Sequence, residues 1–226
     1  QWLIKLDGVS DAQFGSSHGY GRIEMAYYKL AIDCEINMAQ CKLIEENGRA
    51  HFMTKRFDRL EDGNKLHVQT FCAIEHKDFN NVGAYSYEQL FQTMRKLRLS
   101  YPDAEQMFRR MSLNVMSKNC DDHTKNFAFI MGQDGVWKLA PAYDVCHAYR
   151  PDSQWVSQHA LSVNGKRDLI SRDDLLAVAK SMNIKKAELI LLQIQAVVDR
   201  WEDYADQQGV DAAKRDAIRE TIPQTY

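Results

Sequence analysis

The chain has 226 residues, of which 45% are hydrophobic, 27% charged and 10% aromatic, a composition typical of a folded globular protein and unlike that of a disordered or fibrous one. Its 29 basic and 31 acidic residues give a formal net charge of -2 without long runs of one sign, which argues against a nucleic-acid footprint on this chain alone. The five cysteines are widely spaced and lack a C-x-x-C pair, and no signal peptide or apolar run of about 18 residues is present, so a cytoplasmic protein without a membrane segment is expected.

The first third of the sequence predicts strands and one helix. Residues 2–6 are predicted to form a short strand, and apolar residues at helical intervals predict a helix over 22–36. The Asn47-Gly48 pair between two apolar runs predicts a hairpin turn. A further strand is expected around 69–74.

The remainder of the sequence is mostly helical in pattern. Apolar stripes predict two helices, which contain residues 90–97 and 107–115, and Ser171 with Asp174 resembles a capping box that opens a helix over 172–182. Two hairpins are expected at Gly132–Gly135 and after the ALSV run at Asn164-Gly165. A last amphipathic helix is predicted over 185–207.

This order of elements predicts an α+β fold with two lobes. Residues 1–58 would form a small, strand-rich N-terminal lobe, and residues 59–226 a larger, mostly helical C-terminal lobe. Two lobes imply a cleft between them, and clefts are where ligands preferentially bind.

The residues that indicate chemistry lie in the polar segment 119–126, Asn-Cys-Asp-Asp-His-Thr-Lys-Asn. An ordinary surface turn is the simplest interpretation of such a segment. However, the hairpin after it ends in another carboxylate, Asp144. Phosphoryl transfer needs a carboxylate that accepts the proton of the attacking hydroxyl and oxygen ligands that hold magnesium, and Asp121, Asn126 and Asp144 provide that set. Asp-x4-Asn, then a hairpin, then Asp is the protein-kinase layout.

Two further groups of residues fit this layout. Lys5 in the first strand could neutralise nucleotide phosphates, with Glu24 on the following helix as its ion-pair partner. The alternative is a solvent-facing strand lysine and a solvated glutamate. Lys55 and Phe57 lie at the end of the strand-rich third, where a two-lobed kinase has the hinge whose backbone meets adenine; a strand end with a charged cluster is the alternative.

The motifs K-R-F-D-R at 55–59, N-x-D-x-H-x-K-N at 119–126 and L-x-P-x-Y-D-V at 139–145 together resemble the HipA-type toxin kinases, which are serine/threonine kinases of bacterial toxin–antitoxin pairs. Eukaryotic protein kinases and antibiotic phosphotransferases have a histidine two places before the catalytic Asp. Here Asn119 occupies that place and His123 follows Asp121 by two. The resemblance covers nearly the whole chain, including the EMAYYKLA helix and the ALSVNGK hairpin.

The resemblance implies an α+β, two-lobed, protein-kinase-like fold. It also implies ATP and Mg²⁺ as cofactors and a role for each matched position. Asp121 matches the catalytic base, and Asn126 and Asp144 match the magnesium ligands. The nucleotide-binding positions would be Lys5, which contacts phosphate, its partner Glu24, His123 near the phosphates, and the hinge residues Lys55 and Phe57, which act through backbone atoms.

The resemblance also implies transfer of the γ-phosphoryl group of ATP to a protein hydroxyl, an aminoacyl-tRNA synthetase as the substrate class, and a DNA-binding antitoxin as partner. A catalytically inactive scaffold for antitoxin and operator DNA, or a small-molecule kinase, are the alternatives. Family members carry a glycine- and serine-rich phosphate loop and a small N-terminal subdomain upstream of the lysine strand. We expect the printed chain to start after these, and we do not identify residues 7–19 with that loop.

Overall fold

Three antiparallel strands form the first sheet, in the order β1-β5-β4. In the computed structural model, which describes residues 1–11, 15–16 and 18–224, these strands are β1 (Trp2–Lys5), β4 (Cys41–Glu46) and β5 (Arg49–Lys55). Asn47 and Gly48 have φ angles of 47° and 76°, as a two-residue hairpin turn requires, so the predicted hairpin is confirmed.

Between β1 and the first helix, β2 (Ser10–Asp11) pairs with β3 (Gly15–Ser16). Residues 12–14 and 17 of the stretch 7–19 lie outside the described residues. The interpretation of 7–19 as distinct from a phosphate loop therefore falls partly on residues that the structure does not describe.

Helix α1 (Tyr20–Asp33) lies against the first sheet. It begins two residues earlier than the predicted range 22–36. It also ends three residues earlier than predicted, because Glu35 at φ 58° leaves the helical region. A Cβ at Gly21 would lie 2.1 Å from the Ala50 carbonyl oxygen. Only glycine therefore lets α1 approach β5 this closely.

The second sheet consists of β6 (His67–Thr70), β8 (Ala128–Met131) and β9 (Trp137–Leu139), in the antiparallel order β6-β8-β9. The hairpin β8–β9 matches its prediction. The strand expected around 69–74 ends at Thr70, because the Thr70 hydroxyl accepts the Ala73 N–H and caps a short helix, α2 (Phe71–Ile74).

Helices α3 (Tyr87–Lys96) and α4 (Tyr101–Met116) follow, as predicted. The hairpin expected after ALSV differs from its prediction: β10 (Leu161–Ser162) pairs in parallel with β7 (Tyr85–Ser86), and only Val163 and Lys166 bridge across the turn. The capping box at Ser171 opens α5 (Arg172–Met182), as expected.

The prediction of a single helix over 185–207 is wrong. The chain forms α6 (Ala187–Val198) and α7 (Trp201–Gln207), followed by α8 (Ala212–Thr221), which the sequence analysis did not predict. The break allows α6 to pack on α4 while α7 packs on α1. There Trp201 is fully buried, 5.4 Å from Tyr27 between ring centroids, and its indole N–H donates to the Arg215 carbonyl of α8.

One hydrophobic core connects α1, the first sheet, the second sheet and helices α3 to α7. Its largest fully buried side chains include Trp201, Tyr27, Tyr87, Phe108 and Phe129. Within the described ranges, every helix is too short or too polar to span a bilayer. Cys120, inside the polar segment 119–126, is a buried free thiol.

Candidate active site

The Lys5 side chain connects three parts of the fold. Its ammonium lies 2.7 Å from Glu24 Oε1 on α1 and also donates to Asp144 Oδ1, which follows β9. Burial alone would lower the pKa of Lys5, but the two carboxylates outweigh it and raise the pKa, so this lysine is charged at neutral pH. The structure therefore brings three of the residues predicted from the sequence into direct contact.

Glu24 is the buried member of this group. Burial raises the pKa of its carboxyl to about 7, with Asp144 adding to the rise and Lys5 opposing it. The charge of Glu24 near neutral pH therefore depends on the charges of Lys5 and Asp144.

Backbone pairing places segment 119–126 beside the chain that follows Asp144. Asn119 and Ala148 form a parallel bridge; the Cys120 N–H donates to the Ala148 carbonyl at 3.0 Å, and the Ala148 N–H donates to the Lys118 carbonyl at 3.1 Å. This pairing explains how residues more than 20 positions apart line one site.

Asn126 and Asp144 line the same small cavity of about 20 Å³. The Asn126 side-chain NH₂ group donates to the Asp121 carbonyl oxygen at 2.8 Å, so the amide oxygen is the atom that could serve as a ligand. Asp144 has a φ of 56°, in the left-handed region that aspartate tolerates better than most residues. In the described part of the chain no three His, Cys, Asp or Glu side chains group as a metal site, but one carboxylate and one amide oxygen suit Mg²⁺, which keeps water and phosphate as its other ligands.

Asp121 is half-buried and lines a larger cavity. Burial raises the pKa of its carboxyl to about 6; Asp144 and Asp122 add to the rise, whereas His123 and Lys5 oppose it. The His123 ring nitrogen Nε2 lies 3.7 Å from Asp121 Oδ1. The Asp121 carboxylate is therefore more basic than that of an ordinary aspartate.

The neighbouring Asp122 has a different environment, which sequence analysis missed. Its buried carboxylate accepts the Ala160 N–H at 2.7 Å, the Tyr87 hydroxyl at 2.8 Å and His159 Nδ1 at 3.0 Å. Burial would lower the pKa of His159, but Asp122 outweighs it and raises the pKa. Asp122 is thus committed to a buried ion pair, while the adjacent Asp121 faces a cavity.

His123 lies between Asp121 and an aromatic side chain. Its Nδ1 accepts the Lys125 N–H at 3.3 Å, and its ring lies 6.1 Å from that of Phe79. The Lys125 carbonyl in turn accepts the Tyr143 hydroxyl at 2.5 Å. These contacts connect the segment after Asp121 to the residue that precedes Asp144.

The structure places Lys55 and Phe57 at the end of β5 and not in the Lys5 cluster. The Lys55 N–H donates to the Gln40 carbonyl at 2.8 Å, and its ammonium lies 3.4 Å from Glu61. The Phe57 ring packs 5.7 Å from that of Tyr143. The Phe57 side chain therefore contacts the residue that precedes Asp144.

A family model described as the HipA-like C-terminal domain matches residues 1–201. Comparison with curated protein sequences finds no match. Among solved structures, the chain is similar to the Shewanella oneidensis MR-1 toxin–antitoxin complex of HipA, HipB and operator DNA, with a TM-score of 0.74 and 18% identity over 97% of this chain and 55% of the other. It is also similar to the Helicobacter pylori proinflammatory kinase CtkA, with a TM-score of 0.57 and 12% identity over 98% of this chain and 87% of the other.

At these identities the two structures show a shared fold. The chain spans about half the length of the Shewanella chain that it matches. The mixed arrangement of helices and small antiparallel sheets is thus one that a kinase also has.

Proposed function

We propose that this chain, which belongs to the family of HipA-like C-terminal domains, is the catalytic part of an ATP- and magnesium-dependent serine/threonine protein kinase. One observation carries the proposal: the ammonium of Lys5 joins Glu24 to Asp144, while Asn126 lies beside Asp144 and hydrogen-bonds the backbone of Asp121. Charge-stabilising, metal-binding and proton-accepting groups of these types are what phosphoryl transfer requires.

In this proposal each residue has a distinct task. Lys5, oriented by Glu24, neutralises nucleotide phosphate. Asn126 and Asp144 would hold Mg²⁺, which would shield charge on the transferred group. Asp121 accepts the proton of the acceptor hydroxyl as the bond from that oxygen to the γ-phosphorus forms and the bond to the β-phosphate oxygen breaks. ADP then leaves with the electron pair of that bond.

Three further assignments complete the proposal. His123 interacts with the phosphates from its place beside Asp121, and Lys55 and Phe57 offer backbone groups to adenine. Residues 1–58 form the lobe that binds nucleotide, and residues 59–226 form the lobe that contains segment 119–126, the catalytic segment in this proposal. The support for this division is that the first sheet, which carries Lys5, lies within residues 1–58, whereas segment 119–126 lies within residues 59–226.

By analogy with the HipA that was solved with HipB and operator DNA, we propose a DNA-binding antitoxin as the partner of the complete protein. Following the family resemblance, we propose an aminoacyl-tRNA synthetase as its substrate, and nucleic acid contact only through the antitoxin complex. The reaction would take place in the cytoplasm, where thiols such as the five free cysteines stay reduced.

The test uses the full-length protein and Lys5→Met as a matched variant. Isothermal titration with ATP, with and without Mg²⁺, measures nucleotide binding, and incorporation of labelled phosphate into purified aminoacyl-tRNA synthetases measures transfer. We expect the native protein to bind ATP in a Mg²⁺-dependent manner and to transfer phosphate. In Lys5→Met we expect weaker ATP binding and slower transfer. Absence of both from the native protein would indicate the inactive scaffold, and transfer only to small molecules would indicate the other alternative.

A further inference from the structure

A cavity of about 470 Å³ opens beside the candidate base. Its lining includes Asp121 and His123 but not Lys5, Asn126 or Asp144. Lys5, Asn126 and Asp144 therefore lie outside this cavity, which borders the proposed nucleotide site at His123 and Asp121.

Most of the remaining wall is apolar and comes from two segments distant in sequence. Phe79 and Val82 precede α3, whereas Tyr149, Trp155 and Val156 belong to the chain that follows Asp144. All five side chains are half-buried. Such side chains offer contact area to an incoming apolar group.

A local turn fixes the position of Trp155. The Ser153 hydroxyl accepts the N–H groups of both Trp155 and Val156, at 3.2 and 3.3 Å. The same segment is tied to the catalytic segment, since the Ala160 N–H binds both the Cys120 carbonyl and the carboxylate of Asp122. These hydrogen bonds hold the segment that contains Trp155 next to the residues on both sides of Asp121.

We infer that this cavity binds the polypeptide acceptor and selects a large apolar side chain next to the hydroxyl that is phosphorylated, with Trp155 as the specificity-determining residue. The inference rests on the proposed function. An acceptor hydroxyl must come within hydrogen-bond reach of Asp121, so the groups attached to that hydroxyl enter this cavity.

The size and chemistry of the cavity favour a peptide over a small polar acceptor. Its volume falls within the roughly 300–1,000 Å³ of ligand pockets and exceeds what a serine side chain alone would fill. The cavity also has polar lining residues, which can pair with the backbone amides of a peptide: Asn80, His147, Arg150 and Ser153. A hydroxyl or amine group of a sugar placed against Phe79, Val82 and Trp155 would still lack a partner, and polar groups buried without partners are costly. An apolar side chain gains from the same contacts.

The experiment uses the full-length protein and peptides with a central serine, in which one flanking position at a time is alanine or phenylalanine. At one flanking position we expect kcat/KM to be about tenfold higher with phenylalanine, which corresponds to about 1.4 kcal/mol. In Trp155→Ala this ratio should fall below about twofold by loss of the same contact, and Trp155→Phe should recover most of it. Trp137→Ala is the matched control, because Trp137 packs on His67 in the second sheet and does not line the cavity.

Mg-ATP binding, measured in each variant, reports whether that variant is folded. Peptide phosphorylation without a preference at any flanking position, or a preference that Trp155→Ala retains, would overturn the inference and leave the proposed kinase function intact. Faster transfer to sugars or aminoglycosides than to peptides would also overturn it. A folded native protein that transfers phosphate to no acceptor would overturn the proposed function and this inference with it.

Discussion

Lys5 on β1 and Glu24 on α1 are held 2.7 Å apart by the packing of the helix on the sheet. Gly21 lies one turn before Glu24 and touches the Ala50 carbonyl at a distance that excludes any other side chain. The ion pair therefore depends on backbone contact between α1 and β5. A change that moves α1 would also change the charge environment of Lys5.

The first prediction concerns the charge of Glu24. Glu24→Gln keeps a hydrogen bond to Lys5 but removes the charge, so at pH 8 we expect the Kd for Mg-ATP to rise about fivefold, equivalent to about 1 kcal/mol. The pKa of Glu24 is about 7, so the native residue is mostly protonated at pH 6 and the difference between variant and native protein should shrink there. Titration calorimetry at both pH values checks this; an equal difference at both would contradict it.

The second prediction concerns the proposed metal ligands. Asn126→Ala and Asp144→Asn should lose the Mg²⁺-dependent part of ATP binding, because the first removes an oxygen ligand and the second removes the negative charge of the carboxylate ligand. Asparagine at 144 tolerates the left-handed φ, so that variant should keep its thermal unfolding midpoint. The control is Asp134→Asn in the β8–β9 turn, where asparagine can still accept the Val136 N–H. Mg²⁺-dependent binding that persists in both test variants would remove these residues from the proposed site.

The third prediction separates the adjacent aspartates. Asp121→Asn should bind Mg-ATP and fold normally but lose phosphotransfer about 100-fold or more, because it removes the proton acceptor. Asp122→Asn should instead lower the free energy of unfolding by about 3 kcal/mol, since it leaves the His159 imidazolium without its buried partner. Chemical denaturation and labelled-phosphate transfer, measured on both proteins, give the answer. A stable but inactive Asp122→Asn beside an active Asp121→Asn would reverse the two roles.

The fourth prediction concerns the pH dependence of stability. Asp122 raises the pKa of His159 from 6.5 to about 10 in the folded protein, so the folded state holds a proton that the unfolded state releases over this range. The stabilisation is complete below pH 6.5 and is lost as the pH rises through the folded pKa. The stability difference between the native protein and His159→Gln should thus be largest at pH 6 and shrink towards pH 10. Denaturant titrations at several pH values measure it, and a difference independent of pH would show that His159 is neutral.

Short sequence patterns predicted those site residues whose position follows from the order of strands and helices, namely Lys5, Glu24 and Asp144. The succession of a strand with Lys5, a helix with Glu24 and a hairpin ending at Asp144 follows from turn residues and apolar periodicity, which are readable over a few residues. The contact of all three follows from that order and from resemblance to a kinase layout. The Asp-x4-Asn spacing selects Asp121 and not Asp122, and the structure gives the two carboxylates different environments.

Long-range packing determined what the sequence analysis missed. The partner of Asp122, His159, lies 37 residues away, and nothing in the local pattern around either residue indicates the pair. The break between α6 and α7 occurs within a continuous apolar stripe, because Trp201 packs on Tyr27 of α1 and not along the direction of α6. The wall of the large cavity likewise combines segments that only the tertiary fold brings together.

The left-handed backbone of Asp144 has a genetic consequence. Besides aspartate, asparagine and glycine are the residues that best adopt a φ of 56°, and each aspartate codon becomes an asparagine or a glycine codon through a single base transition. Alleles that keep the backbone here but lack the carboxylate are therefore one nucleotide away from the native gene. If the proposed kinase activity inhibits growth, cells selected for escape should accumulate such alleles at this codon while still producing full-length, folded protein.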